Sequence, residues 1–254
     1  MIDKRPIGVF DSGIGGLTVL DVLMEKFPNE NFIYLADTYN CPYGEKTKEE
    51  VEKITIDNSL FLNNLGIKAL VIACNTATAN SSSLINFVDV PIIGVIEPTA
   101  SCAKSITKNR NIMVLATDLT ISCNSYQKYL NDYFVTAVKA SEFVKIVEEE
   151  KSEEESFNII NNKLKDFQDK NIDTIILGCT HFPLLSKHIQ KIFPNVSLIS
   201  SGIATALALE GKITKNKEKN KQSLVVFTTG NKEELLNKIK WFKRKIDYMM
   251  EVTI

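Results

Sequence analysis

Short apolar runs alternate along the chain with longer stretches whose apolar residues recur at helical spacing. Nine runs have the length of strands, at residues 7–10, 32–35, 69–73, 92–95, 112–115, 134–138, 174–177, 196–199 and 224–227. Strands buried on both faces appear as continuous apolar runs, and their alternation with helices is typical of parallel sheets. The pattern therefore predicts an α/β fold built on parallel strands.

Three stretches between or after these runs have distinct helix signals. A helical pattern begins near Leu17, and Thr47 with Glu50 forms the capping box that opens another helix. After the run at 224–227, which is predicted to be the last strand, a helix is expected with four apolar residues on one face: Leu235, Ile239, Phe242 and Ile246.

Two segments of the chain, 70–76 and 175–181, share one pattern. In each, an apolar strand is followed by a small residue, a cysteine and polar residues that suit the start of a helix. The simplest interpretation is two related α/β halves, each ending a strand with a cysteine. We place the boundary between the halves near Glu97 and Pro98, because a proline disfavours helical structure in the residue before it.

Composition and charge narrow the class of protein. The 254 residues suit one large domain or two smaller ones, and 44 % hydrophobic with 24 % charged residues is typical of a globular chain. Thirty basic and 31 acidic residues leave a net charge of -1, which argues against a dedicated nucleic-acid binder. No apolar run has the length of a membrane span, and the amino-terminal residues lack the apolar stretch of a secretory signal, so we expect a cytoplasmic protein.

The cysteines and two charge-rich segments refine this description. Five cysteines without a CxxC pair suggest neither a disulfide framework nor a zinc site, and no other metal site is expected. Residues 148–155 contain six glutamates and residues 211–221 contain five lysines. Such charge runs are usually solvated, so we expect both segments to be exposed for most of their length.

Polar residues follow the predicted strands at the edge where parallel α/β sheets bind ligands. Asp11 and a glycine-rich turn follow the first strand, residues 74–76 follow the third, and residues 179–181 follow the seventh. The turn does not match the dinucleotide-binding pattern G-x-G-x-x-G, and the charge of Asp11 would repel a phosphate. We therefore expect backbone amides in this turn to receive a small carboxylate.

The matched positions of Cys74 and Cys179 favour a chemical role. A cysteine before a helix lies near the positive end of the helix dipole, where amides and a positive neighbour can lower its pKa. A lone cysteine of this kind is more often a packing residue, but two in equivalent contexts indicate reactive thiols. Cys41, Cys102 and Cys123 lack such a match, and we expect them to pack.

Two thiols at equivalent places suit two reactions. They could form a redox disulfide, although that chemistry usually uses a CxxC motif. Alternatively, they could face each other across a substrate, so that one removes a proton from a tetrahedral carbon while the other donates a proton to the opposite face. Each thiol then needs a proton-handling neighbour, for which the candidates are Asp11 beside Cys74 and either His181 or Glu148 beside Cys179.

Five motifs in chain order resemble those of the glutamate racemases, in the cofactor-independent aspartate/glutamate racemase superfamily. They are GVFDSGIGG at 8–16, PYG at 42–44, IACNTA at 72–77, PIIGVIEP at 91–98 and LGCTHFP at 177–183. The resemblance implies two pseudo-symmetric α/β domains, residues 1–97 with 210–254 and residues 98–209, with the active site in the cleft between them. It further implies interconversion of L- and D-glutamate without a cofactor, supply of D-glutamate for peptidoglycan, and a homodimer.

The same resemblance implies roles for individual residues. Cys74 and Cys179 match the catalytic thiols, and Asp11 and His181 match their proton-handling partners. The family's Val-Pro-Leu-Val/Ile-Glu stretch corresponds to residues 144–148. Lys145 stands in place of the proline, and Glu148 matches the family's glutamate, which is counted among the catalytic residues. Residues that hold the carboxylates and ammonium of the substrate are matched by Asp11, Ser12, Pro42, Tyr43, Gly44, Cys74, Asn75, Thr76, Thr117, Cys179, Thr180 and His181.

Two other functions remain open at this point. A racemase of the same superfamily could act on aspartate instead of glutamate. Alternatively, two α/β lobes around a cleft could form a non-catalytic protein that binds a small molecule, in which case Cys74 and Cys179 would be buried packing residues.

Overall fold

The fold consists of two parallel sheets with helices packed around them. A computed structural model describes residues 3–216 and 221–254. The strands of these residues are β1 (Ile7–Asp11), β2 (Phe32–Ala36), β3 (Ala69–Ile72), β4 (Ile92–Gly94), β5 (Asn111–Ala116), β6 (Phe134–Lys139), β7 (Thr174–Gly178), β8 (Ser197–Ile199), β9 (Leu224–Thr228) and β10 (Tyr248–Glu251).

Helices connect successive strands, as the pattern of the sequence predicts. In the described ranges they are α1 (Leu17–Lys26), α2 (Lys48–Asn64), α3 (Asn75–Ala79), α4 (Ile96–Ile106), α5 (Asp118–Ser122), α6 (Glu142–Glu148), α7 (Glu153–Leu164), α8 (Ser186–Ile192), α9 (Ser201–Glu210) and α10 (Lys232–Lys238). The predicted capping box is present at α2, where Thr47 accepts from the amide of Glu50 and Glu50 accepts from that of Thr47. None of these helices has the length and apolar composition needed to cross a bilayer.

The strand orders of the two sheets show that the halves are related. The first sheet has the order β10-β9-β2-β1-β3-β4 and the second has β6-β5-β7-β8. All pairs are parallel, and the second order repeats the β2-β1-β3-β4 portion of the first. Strands β3 and β7 are therefore equivalent. Each pairs with the first strand of its half, β1 or β5, on the side opposite the second strand. The predicted fold class, two pseudo-symmetric parallel-sheet α/β domains, is confirmed.

The carboxyl-terminal segment differs from its predicted structure in two ways. Leu224–Thr228 is not the last strand, because β10 follows it and pairs with it in parallel. The helix between β9 and β10 ends at Lys238. Phe242 and Ile246 therefore pack into the hydrophobic core around β1 from irregular chain and not from the helix. A shorter helix leaves enough chain to cross back over the sheet and add β10, an exposed edge strand without a buried apolar run.

The predicted boundary near Glu97 lies inside a helix. Helix α4 begins at Ile96 and includes both Glu97 and Pro98. Proline is tolerated there because the first amides of a helix have no intrahelical acceptor. The apolar side of α4 packs with β5 and β7, whereas α9 adds Ala206 and Leu209 to the core around β1. The division into residues 1–97 with 210–254 and residues 98–209 stays a prediction.

The two charge-rich segments are largely exposed, as expected. Residues 149–155 are exposed or partly exposed, and Glu153 to Glu155 form the first turn of α7, where acidic residues complement the helix dipole. In the lysine-rich segment, residues 217–220 lie outside the described residues. Lys212 and Lys215 are exposed, but Asn216 is buried, and its amide donates to Glu30.

A buried ion pair fixes the carboxyl-terminal crossover to the first sheet. Lys68 Nζ lies 2.5 Å from Glu30 Oε2, and both side chains are almost fully buried. The ammonium also donates to the carbonyls of Asp3 and Thr214. The pair therefore connects the start of the chain, the approach to β3 and the segment that leads to β9.

We expect Lys68→Met to lower the free energy of unfolding by about 3–5 kcal/mol, because it leaves Glu30 buried without its counter-charge. Urea denaturation would measure this change. The double variant Lys68→Met/Glu30→Leu should recover most of the loss, whereas Lys151→Met, which removes an exposed ion pair with Glu149, should change stability by less than about 1 kcal/mol. A single variant as stable as the parent would contradict the assignment.

Candidate active site

A cavity lies where the carboxyl ends of the two sheets face each other. It is narrow, with a volume of about 20 Å³, and is lined by residues that follow β1, β2, β3, β5, β6 and β7. The lining residues are Ser12, Pro42, Tyr43, Gly44, Glu45, Cys74, Asn75, Thr76, Thr117, Ser141, Val144, Lys145, Cys179, Thr180 and His181. Cys74 and Cys179 thus share one cavity, and they enter it from equivalent strands of different sheets.

The turn after β1 is organised around Asp11. This carboxylate is fully buried and accepts hydrogen bonds from the amides of Gly13 and Gly16 and from Thr180 Oγ1, at 3.0–3.1 Å. Burial raises the pKa of Asp11, although His181 and these hydrogen bonds oppose the shift. Asp11 lies behind the cavity wall and links the turn of the first sheet to the loop after β7.

Close packing requires the absence of a side chain at Gly15. A Cβ atom at this position would lie 2.5 Å from Thr180 Oγ1 and 2.7 Å from His181 Nδ1. Contacts this short are not tolerated without displacing the neighbouring atoms. Gly15 therefore allows the two halves of the site to approach each other.

Cys74 lies two residues after β3 and caps the short helix α3. Its sulfur accepts from the amide of Ala77 at 3.5 Å and lies 3.7 Å from Ser12 Oγ. Burial and the nearby charge of Asp11 nevertheless raise the pKa of Cys74 to about 12. The prediction that the helix start would lower this pKa is therefore wrong: one amide and one hydroxyl do not compensate for full desolvation, and the thiol is protonated at neutral pH.

Cys179 lies at the start of a chain of hydrogen-bonded groups. Its sulfur is 3.7 Å from His181 Nδ1, and Nε2 of the same ring is 2.8 Å from Glu148 Oε1. Burial opposes protonation of the imidazole, but the bonds to Cys179 and Glu148 together raise the pKa of His181 to about 10. The ring is therefore positively charged at neutral pH.

Glu148 completes this chain from outside the cavity. Burial alone would raise its pKa, but His181 and Lys238 reverse the shift, so the pKa of Glu148 lies below its ordinary value. The carboxylate lines a second, larger cavity, together with Cys41 and Lys238. The sequence offered His181 and Glu148 as alternative partners of Cys179. In the structure both belong to one chain of contacts, with His181 between Cys179 and Glu148.

Hydroxyl and amide groups line the opposite wall. Thr76, Thr117 and Thr120 form a buried triangle of hydroxyls with separations of 2.9–3.3 Å. Asn75 accepts from the hydroxyl of Tyr126 at 2.7 Å. Among the residues that the structure describes, Nδ2 of this buried asparagine has no hydrogen-bond partner. An unpaired buried donor in a cavity wall is well suited to bind an anionic ligand.

The hydroxyl of Tyr43 is already engaged within the protein. It donates to Asp37 at 2.5 Å and accepts from Asn58, while Asp37 also accepts from Thr229. Asp37 directly follows β2 and was not among the predicted site residues. This network anchors the 42–44 turn, which lines the cavity.

Eleven of the predicted site residues line the cavity, and two do not. Asp11 and Glu148 lie one contact behind it, next to Thr180 and His181. Four lining residues were not predicted from the sequence: Glu45, Ser141, Val144 and Lys145. Three of these follow β6, and applying the strand-end rule to that strand as well would have found Ser141. Lys145 and Glu45 form an exposed ion pair, 2.9 Å long, at the mouth of the cavity.

Metal binding has little support from the side chains of this region. Within residues 3–216 and 221–254, no three His, Cys, Asp or Glu side chains are grouped so that they could hold a metal ion. The groups available for chemistry are two thiols, one charged imidazole, two carboxylates and several hydrogen-bond donors. This set is suited to proton transfer next to a bound carboxylate.

Comparisons with known proteins agree along nearly the whole chain. A profile of the Asp/Glu/hydantoin racemase family matches residues 22–209. A glutamate racemase of Staphylococcus epidermidis is 38 % identical over 257 residues, which cover 96 % of each chain. The structure of a Bacillus anthracis glutamate racemase isoform has a TM-score of 0.93 at 34 % identity and covers 99 % of both chains. A Francisella tularensis glutamate racemase, solved with D-glutamate, has a TM-score of 0.89 at 31 % identity over 99 % of this chain and 98 % of that one.

Proposed function

The chain belongs to the Asp/Glu/hydantoin racemase family, and from this premise we propose that it interconverts L- and D-glutamate by proton transfer between two thiols. The observation that supports this most directly is that Cys74 and Cys179 line one cavity from equivalent strands of related sheets. The Francisella relative binds D-glutamate, which supports glutamate as the substrate of this protein. As an amino-acid racemase, the protein is an isomerase.

The proposed reaction breaks and forms one C–H bond. One sulfur, as thiolate, takes the α-proton, and the electron pair of the broken bond is delocalised into the α-carboxylate. The other sulfur, as thiol, donates its proton to the opposite face of the same carbon. The new C–H bond has inverted configuration, and the two sulfurs have exchanged protonation states.

The α-proton is weakly acidic, so the charge that develops on the carboxylate must be stabilised. We expect the amides of Ser12, Asn75, Thr76 and Thr180 to surround it, because donors at helix starts favour anions. The unpaired Nδ2 of Asn75 supplies a further donor. These donors are held in place before the substrate binds, and their effect is larger in a cavity from which water is excluded.

The surroundings of the two sulfurs give them different starting roles. Cys74 is protonated at neutral pH, which suits the proton donor. Cys179 lies 3.7 Å from a nitrogen of the charged ring of His181, a position that suits the base. Product formation reverses these states, so Asp11 on one side and His181 with Glu148 on the other would assist their return.

The wider biological role is part of the proposal. D-glutamate produced by this reaction would supply peptidoglycan synthesis, and through it cell-wall growth and cell shape. We expect the enzyme to act in the cytoplasm as a homodimer, without a cofactor, a nucleic-acid partner or a membrane contact.

Incubating the purified protein separately with L-glutamate and L-aspartate, and following circular dichroism at the substrate band, tests this function. Loss of optical activity with glutamate alone is the expected result. Racemisation of aspartate alone would identify the related activity. If neither signal changes and thiol-reagent labelling of Cys74 and Cys179 is slow with or without glutamate, the chain is a non-catalytic binding protein.

A further inference from the structure

Lys238 contacts the chain of proton-handling groups from a distant part of the sequence. Its Nζ donates to Glu148 Oε2 at 3.2 Å, while the other oxygen of that carboxylate is 2.8 Å from His181. Both oxygens of Glu148 are therefore occupied, one by the imidazole and one by the ammonium. This arrangement defines the direction in which the carboxylate points.

The ion pair between Lys238 and Glu148 is less exposed than an ordinary surface ion pair. Glu148 is only 20 % exposed and Lys238 is 30 % exposed. The two residues come from different parts of the fold, because Glu148 ends α6 beside the second sheet and Lys238 ends α10 between β9 and β10. Such a pair is screened less than an exposed one, and it holds only while α10 and α6 remain together.

We propose that Lys238 is a positioning residue, which keeps the carboxylate of Glu148 directed at His181 while Cys179 exchanges its proton with the substrate. This proposal rests on the proposed function for its kinetic consequence. Lys238 acts through Glu148 and His181 and does not contact the reacting atoms. Through these contacts, proton transfer at Cys179 also depends on the position of α10.

Several other charged or titratable groups face Glu148, and they do not replace Lys238. Lys145 on the same helix is bound to Glu45, and the more exposed Glu234 shares the ammonium of Lys238 at 3.2 Å. The groups around Glu148 are Cys41 from the loop after β2, Lys145 and Glu149 from α6, His181 from the loop after β7, and Glu234 and Lys238 from α10. Removing Lys238 therefore leaves Glu148 facing carboxylates, a neutral thiol and the ammonium of Lys145, which is paired with Glu45.

The test compares Lys238→Met, Lys238→Arg and Lys232→Met, whose lysine lies on the same helix and contacts Glu233 instead. Lys238→Met should lower kcat about tenfold, because a partly exposed hydrogen bond between charged groups is lost, with little change in KM. The acid limb of its pH profile should move to higher pH, because Lys238 lowers the pKa of Glu148. Lys238→Arg should restore both within about threefold, and Lys232→Met should match the parent.

A second measurement does not depend on turnover. The chain has two histidines, so NMR can follow His181 with His188 as an internal reference. The acidic inflection of the His181 ring signals, which reports protonation of Glu148, should move to higher pH in Lys238→Met and return in Lys238→Arg. The His188 signals should be the same in all variants.

Two results would overturn the proposal. One is a Lys238→Met variant with the kcat, pH profile and His181 inflection of the parent. The other is a loss of activity that parallels a loss of thermal stability and that arginine does not restore, which would assign Lys238 a structural role only. Inactivity of the parent on glutamate would instead refute the proposed function, and the His181 inflection would still decide the role of Lys238.

Discussion

Serine in place of Cys74 or of Cys179 is expected to lower kcat for glutamate racemisation by about 10²–10⁴-fold in each case, the usual contribution of a positioned acid or base. The hydroxyl fills nearly the same space as the thiol but is a much weaker acid. In the proposed mechanism each turnover uses both sulfurs, so neither single variant should retain rapid racemisation.

The two directions of the reaction constrain how this loss is measured. Enantiomers have equal free energies in water, so kcat/KM for L- and D-glutamate must fall equally in every variant. The difference between the thiols should appear in isotope exchange: in D₂O, the parent should place deuterium first on the product enantiomer. A variant with one thiol should exchange the α-hydrogen of only one enantiomer with solvent at a measurable rate.

Cys102→Ser provides the matched control, because Cys102 is a partly exposed cysteine on α4 away from the cavity. It should racemise glutamate at the parent rate. Near-parent racemisation by both Cys74→Ser and Cys179→Ser would exclude a mechanism in which two thiols transfer the proton.

His181→Asn is expected to lower kcat by about 10²–10⁴-fold and to remove one limb of the pH profile. The pKa of His181 is about 10, so the ring is charged at neutral pH and loses its proton as the pH rises through that value. The activity of the parent should therefore decline on the alkaline side near pH 10. Asparagine cannot titrate, so the remaining activity should lack this decline.

His188→Asn on α8 is the control for this prediction. His188 pairs with the exposed Glu153 and lies outside the cavity lining. This variant should keep the parent's kcat and alkaline limb. An unchanged alkaline limb in His181→Asn would show that another group controls it.

Much of the fold was predictable because its strands are buried on both faces. The runs at 7–10 and 69–73 contain only apolar residues and glycine, the run at 174–177 adds one buried threonine, and each became a central strand. The edge strand β10 was not predictable in this way, because Tyr248 and Met250 are exposed and the strand is held by backbone pairing with β9. Hydrophobic pattern reports burial, so it is a weak guide to an edge strand as exposed as β10.

The candidate site was predictable where its residues follow strands and not where its partners meet across the fold. Cys74 and Cys179 stood out because the same pattern occurs twice. The pKa of Cys74 was predicted in the wrong direction, because the sequence shows the amides of a helix start but not the degree of desolvation. Lys238 is 90 positions from Glu148, and no local pattern connects them.

The repeated strand order has a consequence for how such an activity could originate. One half alone offers a single sulfur, which can only return a proton to the face from which it was taken. Hydrogen exchange with retention is all that such a precursor could achieve. Duplication and face-to-face assembly of two copies add no new functional group, yet they change the stereochemical outcome from retention to inversion.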